Sequence, residues 1–354
     1  MGSEGATPEV VVEALGVAVG IPVTGADAVR LRRQWSRAVT DRVSTTVVDL
    51  TGIASEEQVV RDYAITSLVT LAALDATAGR RINLHAGAVA DDQGRALAVI
   101  GPSGSGKTTA ISLLAARLGY LSDETVSIDE ALVVHPHPKP LSIITDLEAP
   151  RLKQSISPDD LDLRRPPGRT HLHRIVLLRR GAGDAGLVPV PTPRAIVEMV
   201  EQTSTLVQVE HPIHRLATAI DSCGGVWGLD YVEFADRVDD MVGLLDREPQ
   251  PAVEHLHHPF GADAVVGPVA GAWSRAPWTD AEEYGDELVL MVGDRVHVLA
   301  GLGVVVWLAL ATPSTPDELV AQAQALWGEH PGASGLVAEA LAVMAEQGLV
   351  RPPA

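Results

Sequence analysis

Eight consecutive residues near position 100 restrict the fold of this chain more than any other feature. Residues 101–108 are Gly-Pro-Ser-Gly-Ser-Gly-Lys-Thr, which matches the phosphate-loop pattern G-x-x-x-x-G-K-[ST] at every fixed position. An apolar stretch at 96–100 precedes the motif, and a helical pattern at 110–118 follows it. Because strand, loop and helix are the context that this motif requires, we predict an α/β fold with a nucleotide site at the loop.

The composition of the loop suits a bound phosphate chain. Glycines let successive backbone N–H groups converge on phosphate oxygens, and the next helix adds partial positive charge at its N-terminus. The Lys107 ammonium would neutralise the β- and γ-oxygens, and the Thr108 hydroxyl is a typical Mg²⁺ ligand. The predicted residues for ATP or GTP binding are Gly101, Ser103, Gly104, Ser105, Gly106, Lys107, Thr108 and Thr109.

Candidate catalytic residues flank the loop on both sides. His85 lies in a predicted strand at 84–90, one strand before the loop. Asp123 and Glu124 follow the helix after the loop, where one carboxylate can hold Mg²⁺ and the other can take a proton from an attacking hydroxyl. The structural alternatives are a solvated turn for the acidic pair and a satisfied core histidine for His85.

The order of these segments resembles the HPr serine kinase/phosphorylase family, and more closely the smaller HPr-kinase-like proteins of ribosomal-peptide biosynthesis. Three segments between residues 60 and 246 carry the resemblance: His85-Ala-Gly-Ala-Val, the phosphate loop, and Gly119-Tyr-Leu-Ser-Asp-Glu. The resemblance implies a P-loop kinase core of the HPr-kinase type, with ATP and Mg²⁺ as its cofactors.

The resemblance also implies a role for each matching residue. In that family, the histidine before the loop and the first acid assist proton transfer, and these positions are His85 and Asp123 here. The second acid and the loop hydroxyl hold Mg²⁺, which assigns Glu124 and Thr108. This chain has Asp-Glu where the family usually has Asp-Asp, and the later Glu/Arg-rich signature is not recognisable. The resemblance therefore supports forward phosphoryl transfer better than phosphorolysis.

Residues 283–354 follow a second pattern, in which two strands around the turn Gly293-Asp294 precede three helices. The five predicted segments are 288–292, 295–299, 302–310, 315–327 and 335–346. This order resembles PqqD-like proteins, small winged-helix-like α+β domains that bind the leaders of ribosomally made peptides. It implies that a leader peptide adds a strand between the hairpin and the third helix. The predicted peptide-binding residues are Arg295, Val296, His297, Val298 and Leu299.

We therefore expect two domains joined by a linker. An HPr-kinase-like ATP-binding domain would span 1–246, a Pro- and Gly-containing linker 247–282, and a PqqD-like domain 283–354. A winged helix that serves packing, or that binds DNA, is the alternative for the last domain. Residues 280–354 hold two basic and eleven acidic residues, a net charge of −9, which argues against DNA.

Charge and composition disfavour several classes of partner and location. The 27 basic and 46 acidic residues give a net charge of −19, which repels nucleic acid and anionic membranes at long range. The one cysteine, Cys223, cannot form an internal disulfide, which suits a reducing compartment. The first ten residues lack the basic and apolar regions of a secretory signal, so we expect a cytoplasmic protein.

Four histidine groups suggest metal binding at first sight. None has a cysteine partner, and none has the helical H-x-x-x-H spacing with a glutamate base. We therefore favour surface and core histidines for all four groups. The groups are His135 with His137, His171 with His173, His211 with His214, and His255 with His257 and His258.

Taken together, the two resemblances imply an enzyme: an ATP-dependent kinase that phosphorylates a Ser hydroxyl of a ribosomally made precursor peptide held through its leader. The implied partners are that peptide and other enzymes of the same pathway. A non-catalytic ATP-binding chaperone or scaffold is the first alternative, and a winged-helix transcription regulator is the second. The peptide, the acceptor residue, reversibility and the oligomeric state, a homo-oligomer included, stay open at this point.

Overall fold

The computed structural model of the protein describes residues 10–54, 56–144, 153–181, 183–261 and 269–354. The start of the chain, and residues 262–268 of the expected linker, lie outside the described residues. The chain divides into two units. Unit 1 comprises residues 1–190, 201–209 and 222–250, and unit 2 comprises residues 191–200, 210–221 and 251–354.

The described residues form twenty-one strands and nine α-helices. The strands are β1 (Val10–Ala14), β2 (Val17–Ile21), β3 (Thr46–Val47), β4 (Ile82–Leu84), β5 (Ala86–Ala90), β6 (Arg95–Ile100), β7 (Gly119–Ser122), β8 (Val126–Ile128), β9 (Val134–His135), β10 (Leu141–Ile144), β11 (Lys153–Ile156), β12 (His171–Arg180), β13 (Gly186–Val190), β14 (Thr203–Ser204), β15 (Val226–Tyr231), β16 (Leu256–His257), β17 (Ser274–Arg275), β18 (Asp280–Tyr284), β19 (Glu287–Val292), β20 (Arg295–Ala300) and β21 (Val350–Arg351). The helices are α1 (Gly25–Gln34), α2 (Gln58–Thr77), α3 (Lys107–Leu114), α4 (Thr192–Val200), α5 (Pro212–Ser222), α6 (Val238–Gly243), α7 (Leu302–Ala309), α8 (Pro316–Trp327) and α9 (Ala333–Glu346). Within the described ranges, no helix combines the length and the apolar character needed to cross a bilayer.

A six-stranded sheet carries the phosphate loop in unit 1. Its strand order is β13-β15-β12-β6-β5-β7. The central strands β6, β12 and β15 are parallel, and the other three strands run antiparallel to their neighbours. All of β6 except Arg95 is buried, as expected for a strand covered on both faces. Sheets and helices thus combine as the predicted α/β class requires.

Helix α3 packs on this sheet through apolar side chains one turn apart. Ala110, Ile111 and Leu114 are buried in one cluster with residues of β6. The helix predicted at 110–118 instead begins at Lys107, and Gly119 begins strand β7 rather than ending the helix. A Cβ on Gly119 would lie 2.4 Å from the Cα of Pro166, so glycine permits this close approach of two backbones.

Helix α2 covers a second, smaller sheet of unit 1. Its buried residues Ile65, Val69 and Ala73 share a hydrophobic cluster with Trp35 of the segment after α1 and with strands β1 and β2. Apolar residues at three- and four-residue spacing therefore direct this face of α2 towards the core. The opposite face of α2 does not take part in this core, so its residues are available to line a site.

The strand predicted at 84–90 is interrupted at His85. Before it, β4 pairs with β8 and β14, and after it, β5 pairs with β6 and β7. At the break, the His85 N–H donates to the Gln202 carbonyl at 2.6 Å, and the Ala86 N–H donates to the Glu124 carbonyl at 3.1 Å. The backbone therefore passes from one sheet to the other at His85.

Unit 2 contains the predicted hairpin, β19 and β20, and the three predicted helices α7, α8 and α9. Its main sheet has the order β16-β18-β19-β20 and is antiparallel. The core contains Trp307, Leu288, Leu290 and Leu341. Thr315 and Glu318 form a capping box at the start of α8.

The units differ from the expected domain boundaries at two places. Helices α4 and α5 lie within the expected first domain, 1–246, but α4 and most of α5 belong to unit 2. The expected linker, 247–282, contributes β16, β17 and most of β18. Strand β18 carries Asp280 and Glu282 towards the interior, so its sequence lacks the apolar alternation by which strands are recognised.

Candidate functional site

The loop between β6 and α3 is held in shape by its glycines and by a tyrosine from β15. Gly104 and Gly106 have φ values of +83° and +88°, which favour glycine over every residue with a Cβ. A Cβ on Gly106 would also lie 2.6 Å from the Tyr231 hydroxyl oxygen. That hydroxyl donates a hydrogen bond to the Ser105 carbonyl. The loop conformation is therefore fixed by contacts within the protein.

Lys107 is buried at the start of α3. Its Nζ donates hydrogen bonds to the carbonyl of Gly101 and, at 3.0 Å, to that of Pro102. Burial lowers the pKa of Lys107 from its ordinary value, while the Glu124 carboxylate opposes this effect. The ammonium is thus bound to carbonyls of its own loop.

Asp123 and Glu124 lie directly after β7 in a turn held by a serine. The Ser122 hydroxyl oxygen accepts hydrogen bonds from the backbone N–H groups of Glu124 at 3.3 Å and Thr125 at 3.1 Å. The Asp123 side chain is buried, whereas that of Glu124 is 47% exposed. The Tyr120 hydroxyl donates to Asp123 Oδ1 at 3.1 Å. The turn therefore separates one enclosed carboxylate from one accessible carboxylate.

Lys139 connects the two acids. Its Nζ lies 3.2 Å from Asp123 Oδ1 and 3.2 Å from Glu124 Oε2, and its side chain is only 3% exposed. Burial alone would lower the pKa of Lys139, but the two carboxylates outweigh this effect and raise the pKa above its ordinary value. Lysine is rare in this sequence, which draws attention to Lys139 but does not predict what the residue does.

His85 is half-buried between the two sheets. Burial is the main cause that lowers the pKa of its imidazole, and the nearby Lys107 ammonium lowers it further. Glu124 and Asp123 act in the opposite direction. The net effect favours the neutral imidazole at neutral pH.

These residues line one cleft in unit 1, with a volume of about 420 Å³. The loop and helix α3 contribute Ser103, Gly104, Gly106, Lys107, Thr108 and Thr109, and the other predicted residues in the cleft are His85, Asp123 and Glu124. The remaining lining residues are Lys139, Ser142 and, from α2, Tyr63, Thr66 and Ser67. The sequence does not predict the α2 residues as part of the site, because polar residues on the outer face of a helix that packs against the core look like ordinary surface residues.

Two predicted loop residues support the cleft without lining it. Gly101 accepts the Lys107 hydrogen bond through its carbonyl, and Ser105 accepts the Tyr231 hydrogen bond in the same way. The Ser105 hydroxyl oxygen is buried and has no hydrogen-bond partner among the described residues. A buried polar atom in this state is suited to a ligand or a water molecule.

His137 lies buried behind Lys139. Its Nε2 is 2.9 Å from the Thr70 hydroxyl oxygen, and that hydroxyl is also 2.9 Å from the Thr66 carbonyl. Burial, with a smaller contribution from Lys139, lowers the pKa of His137 to about 3. The imidazole is therefore neutral and packs next to the Trp35 ring, with 6.2 Å between ring centres.

The five predicted peptide-binding residues lie in β20, in unit 2. Among the described strands, β20 pairs with β19 alone, so its other edge carries no strand. Leu299 points into the core, whereas Arg295 and Val298 are exposed. An open strand edge of this kind can accept an extended peptide.

The cleft of unit 1 combines a phosphate-binding loop, two buried lysines, a half-buried imidazole and two carboxylates. This set can bind a polyphosphate, hold a divalent cation and accept a proton. No protein-family model matches the chain, and no match is found among curated proteins.

Proposed function

We propose that this chain is an ATP-dependent peptide kinase. In the proposal, unit 1 is a P-loop kinase core of the HPr-kinase type, and the hairpin and helices of unit 2 form a PqqD-like, winged-helix-like α+β domain. The reaction transfers the γ-phosphoryl group of ATP to a Ser hydroxyl of a ribosomally made precursor peptide. One observation carries the proposal: Lys107 and Thr108 line the same cleft as Asp123, Glu124 and His85.

The residues of the loop fit a triphosphate. The Lys107 ammonium can exchange its loop carbonyls for phosphate oxygens, and the buried Ser105 hydroxyl offers a free bonding position among the described residues. Apart from the two chain neighbours, no heavy atom of the described residues lies within 4 Å of a Cβ placed on Gly104, which leaves room beside the loop. The Thr108 hydroxyl and the Glu124 carboxylate would hold Mg²⁺. When bound, ATP with Mg²⁺ supplies the phosphoryl group and neutralises its negative charge.

Asp123 is the proposed general base. Among the described residues, Tyr120 and Lys139 contact Asp123 at Oδ1, so Oδ2 is the atom that would take the proton of the attacking hydroxyl. Lys139 keeps the two carboxylates together against their mutual repulsion. The neutral His85 imidazole, which lines the same cleft, can pass on the proton.

Recognition of the leader would supply the substrate to this base. The open edge of β20 offers main-chain hydrogen bonds along Arg295–Ala300, and these bonds give affinity with little demand on sequence. A bound leader raises the effective concentration of the acceptor Ser, so the cleft itself needs few contacts to the acceptor. If the leader supplies the specificity, the cleft can be lined by polar residues that are not specific for the acceptor, such as Thr66 and Ser67 of α2.

The test is a transfer assay with the full chain, ATP, Mg²⁺ and the short precursor peptide encoded beside its gene. We expect the peptide to gain the mass of one phosphoryl group, and a peptide without its leader to react far more slowly. Lys107→Ala should abolish ATP binding, whereas Asp123→Asn should bind ATP without transferring phosphate. Asp92→Asn, on an exposed hairpin turn, is the matched control and should react like the wild type.

A second candidate is an ATP-binding peptide scaffold without catalysis. The ion pair between Lys139 and Asp123 favours it, because the ammonium already occupies the carboxylate that the transfer step would need. The same assay separates the two candidates. Wild-type protein that binds ATP and the leader but transfers no phosphate would establish the scaffold and refute the kinase.

A further inference from the structure

Four imidazoles and two carboxylates lie close together in unit 2, and none of them belongs to the residues that line the cleft of unit 1. They come from the start of α5, from β16 and the residue before it, and from β18. The six residues are His211, His214, His255, His257, Asp280 and Glu282. Sequence spacing gives no hint of this cluster, because some forty residues separate its first two histidines from the next two. The fold joins two of the four histidine groups that the sequence analysis treats as unrelated.

The strand pairing explains why the side chains meet. His257 on β16 lies opposite Glu282 on β18, and side chains two positions apart share one face of a strand. His255 with His257, and Asp280 with Glu282, are therefore two pairs on the same face. His214 in the first turn of α5, and His211 directly before that helix, complete the cluster.

The ligand atoms form two sets, each with two imidazoles and one carboxylate. Within each set, all ligand atoms lie within 4.8 Å of one another. In the first set, His211, His257 and Asp280, the distance from His257 Nε2 to Asp280 Oδ1 is 2.7 Å. In the second set, His214, His255 and Glu282, the distance from His214 Nδ1 to Glu282 Oε2 is 3.1 Å.

Neighbouring groups fix the orientation of these ligands. Asp280 Oδ2 accepts hydrogen bonds from the backbone N–H groups of Ile213 at 2.9 Å and His214 at 3.0 Å, which leaves Oδ1 for the histidines. His255 Nε2 is 2.8 Å from the Asp221 carboxylate, so its Nδ1 faces Glu282. Metal-binding histidines typically have a carboxylate on the second ring nitrogen, since it fixes the ring and its tautomer.

Burial adds a second, independent argument. Asp280 and Glu282 are fully buried, and carboxylates inside a protein require positive charge nearby. A divalent cation bound between the side chains would supply this charge. Tyr284 lies next to the second set, with its ring centre 5.4 Å from that of His255. Its hydroxyl is buried and has no hydrogen-bond partner among the described residues, which is the state of a group that lacks a ligand or a water molecule.

We propose that unit 2 binds divalent transition-metal ions of the zinc class, one in each set. Imidazole nitrogens with one carboxylate suit Zn²⁺ and its neighbours, whereas Mg²⁺ and Ca²⁺ prefer ligand shells of oxygen atoms. The stacked rings of His214 and His257, with 4.1 Å between their centres, connect the two sets. Three protein ligands leave one coordination position in each set for water or for a substrate group.

The experiment uses the full chain without an affinity tag, freed of metal by a chelator and titrated with Zn²⁺ alone. We expect two ions per chain by calorimetry and by elemental analysis, and a rise in the melting temperature that the chelator reverses. Co²⁺ should give the visible absorption of a site with nitrogen ligands, and Zn²⁺ should remove it. Excess Mg²⁺ should displace neither ion.

Variants assign each ion to its set. His257→Gln should lose the ion of the first set, and His255→Gln should lose that of the second. His258→Gln is the matched control, because the neighbouring His258 bonds to Glu283 outside the cluster and should keep both ions. Thr108→Ala should also keep both ions, which excludes the phosphate cleft as their site.

Each outcome decides the proposal. A single ion that is lost in only one of the two variants would support that set and reject the other. Unchanged stoichiometry in both variants would overturn the proposal. So would wild-type protein that binds no Zn²⁺ at micromolar concentration and shows no Co²⁺ absorption, a result that does not depend on how the variants fold.

Discussion

Replacing Lys139 by methionine tests the central electrostatic contact of the cleft. Methionine keeps most of the length and volume of the side chain but removes the ammonium, so Asp123 is left buried without its charged partner. Removal of one partner from a buried ion pair costs about 3–5 kcal/mol. The Glu124 side chain is 47% exposed, so solvent screens its contact and adds little. We therefore expect unit 1 of Lys139→Met to lose about 3 kcal/mol of stability.

The assay is urea unfolding of the full chain followed by hydrogen-exchange mass spectrometry. Peptides that cover β5 and β7 report on unit 1 directly, whereas a signal averaged over the chain would mix the two units. Arg117→Met is the matched control, because it breaks the Arg117–Asp239 ion pair, in which both side chains are largely exposed. That change should cost less than about 1 kcal/mol.

A double variant separates the charge effect from the loss of packing. Asp123→Asn combined with Lys139→Met leaves no buried unpaired charge, since Glu124 is 47% exposed, so it should recover much of the stability that Lys139→Met loses. If Lys139→Met unfolds within about 1 kcal/mol of the wild type, the buried pair is not what holds the acids in place. If the double variant is less stable than Lys139→Met, the loss comes from packing and the electrostatic argument fails.

Three further predictions concern single contacts. Because burial holds the pKa of His137 at about 3, the unfolded chain takes up its proton first as the pH falls below about 6.5. The free energy of unfolding should then fall by up to about 1.4 kcal/mol per pH unit between roughly pH 6 and 4, in addition to the effect of the other titratable groups. Urea titrations at several pH values should show a shallower dependence of this free energy on pH for His137→Gln than for the wild type. Equal slopes for the two proteins would contradict the prediction. Gly106→Ala should lower the melting temperature more than Gly104→Ala, because both have positive φ but only Gly106 faces the Tyr231 hydroxyl, and Tyr231→Phe should recover part of the difference. Equal melting temperatures would refute the contact. Thr315→Ala should destabilise unit 2 by about 1 kcal/mol through loss of the capping box at α8, measured by hydrogen exchange on α8 peptides, and unchanged protection would refute it.

Sequence patterns within a short window predict those elements of the fold that depend on interactions between residues close in sequence. The phosphate loop, helix α2 and the hairpin of β19 and β20 all follow from motif, helical spacing and turn residues within a short window. Six of the eight predicted loop residues line one cleft with His85 and the two acids, because the sheet brings the ends of β6 and β7 together with the break before β5. Their chemical roles stay predictions.

Long-range pairing explains what the sequence could not show. Lys139 reaches the acids from an irregular segment after β9, and no spacing rule links it to Asp123. Strand β18 cannot be recognised from an alternation of apolar residues, because its inward-facing residues include Asp280 and Glu282. These carboxylates contact histidines from α5 and β16. A side chain that is polar, buried and paired with a distant segment looks the same in sequence as one that faces solvent.

The hydrogen bonds that Lys107 donates to its own loop determine which phosphate ligands would bind most tightly. In the proposed function, a phosphate chain would have to replace the carbonyls of Gly101 and Pro102, so the free energy that Lys107 contributes to binding would be the difference between two sets of hydrogen bonds. A ligand whose phosphates stop short of Lys107 leaves these carbonyls bonded and obtains nothing from the exchange. Under this proposal, Lys107 would favour ligands with a longer phosphate chain, and a nucleoside monophosphate should compete poorly with ATP even at high concentration.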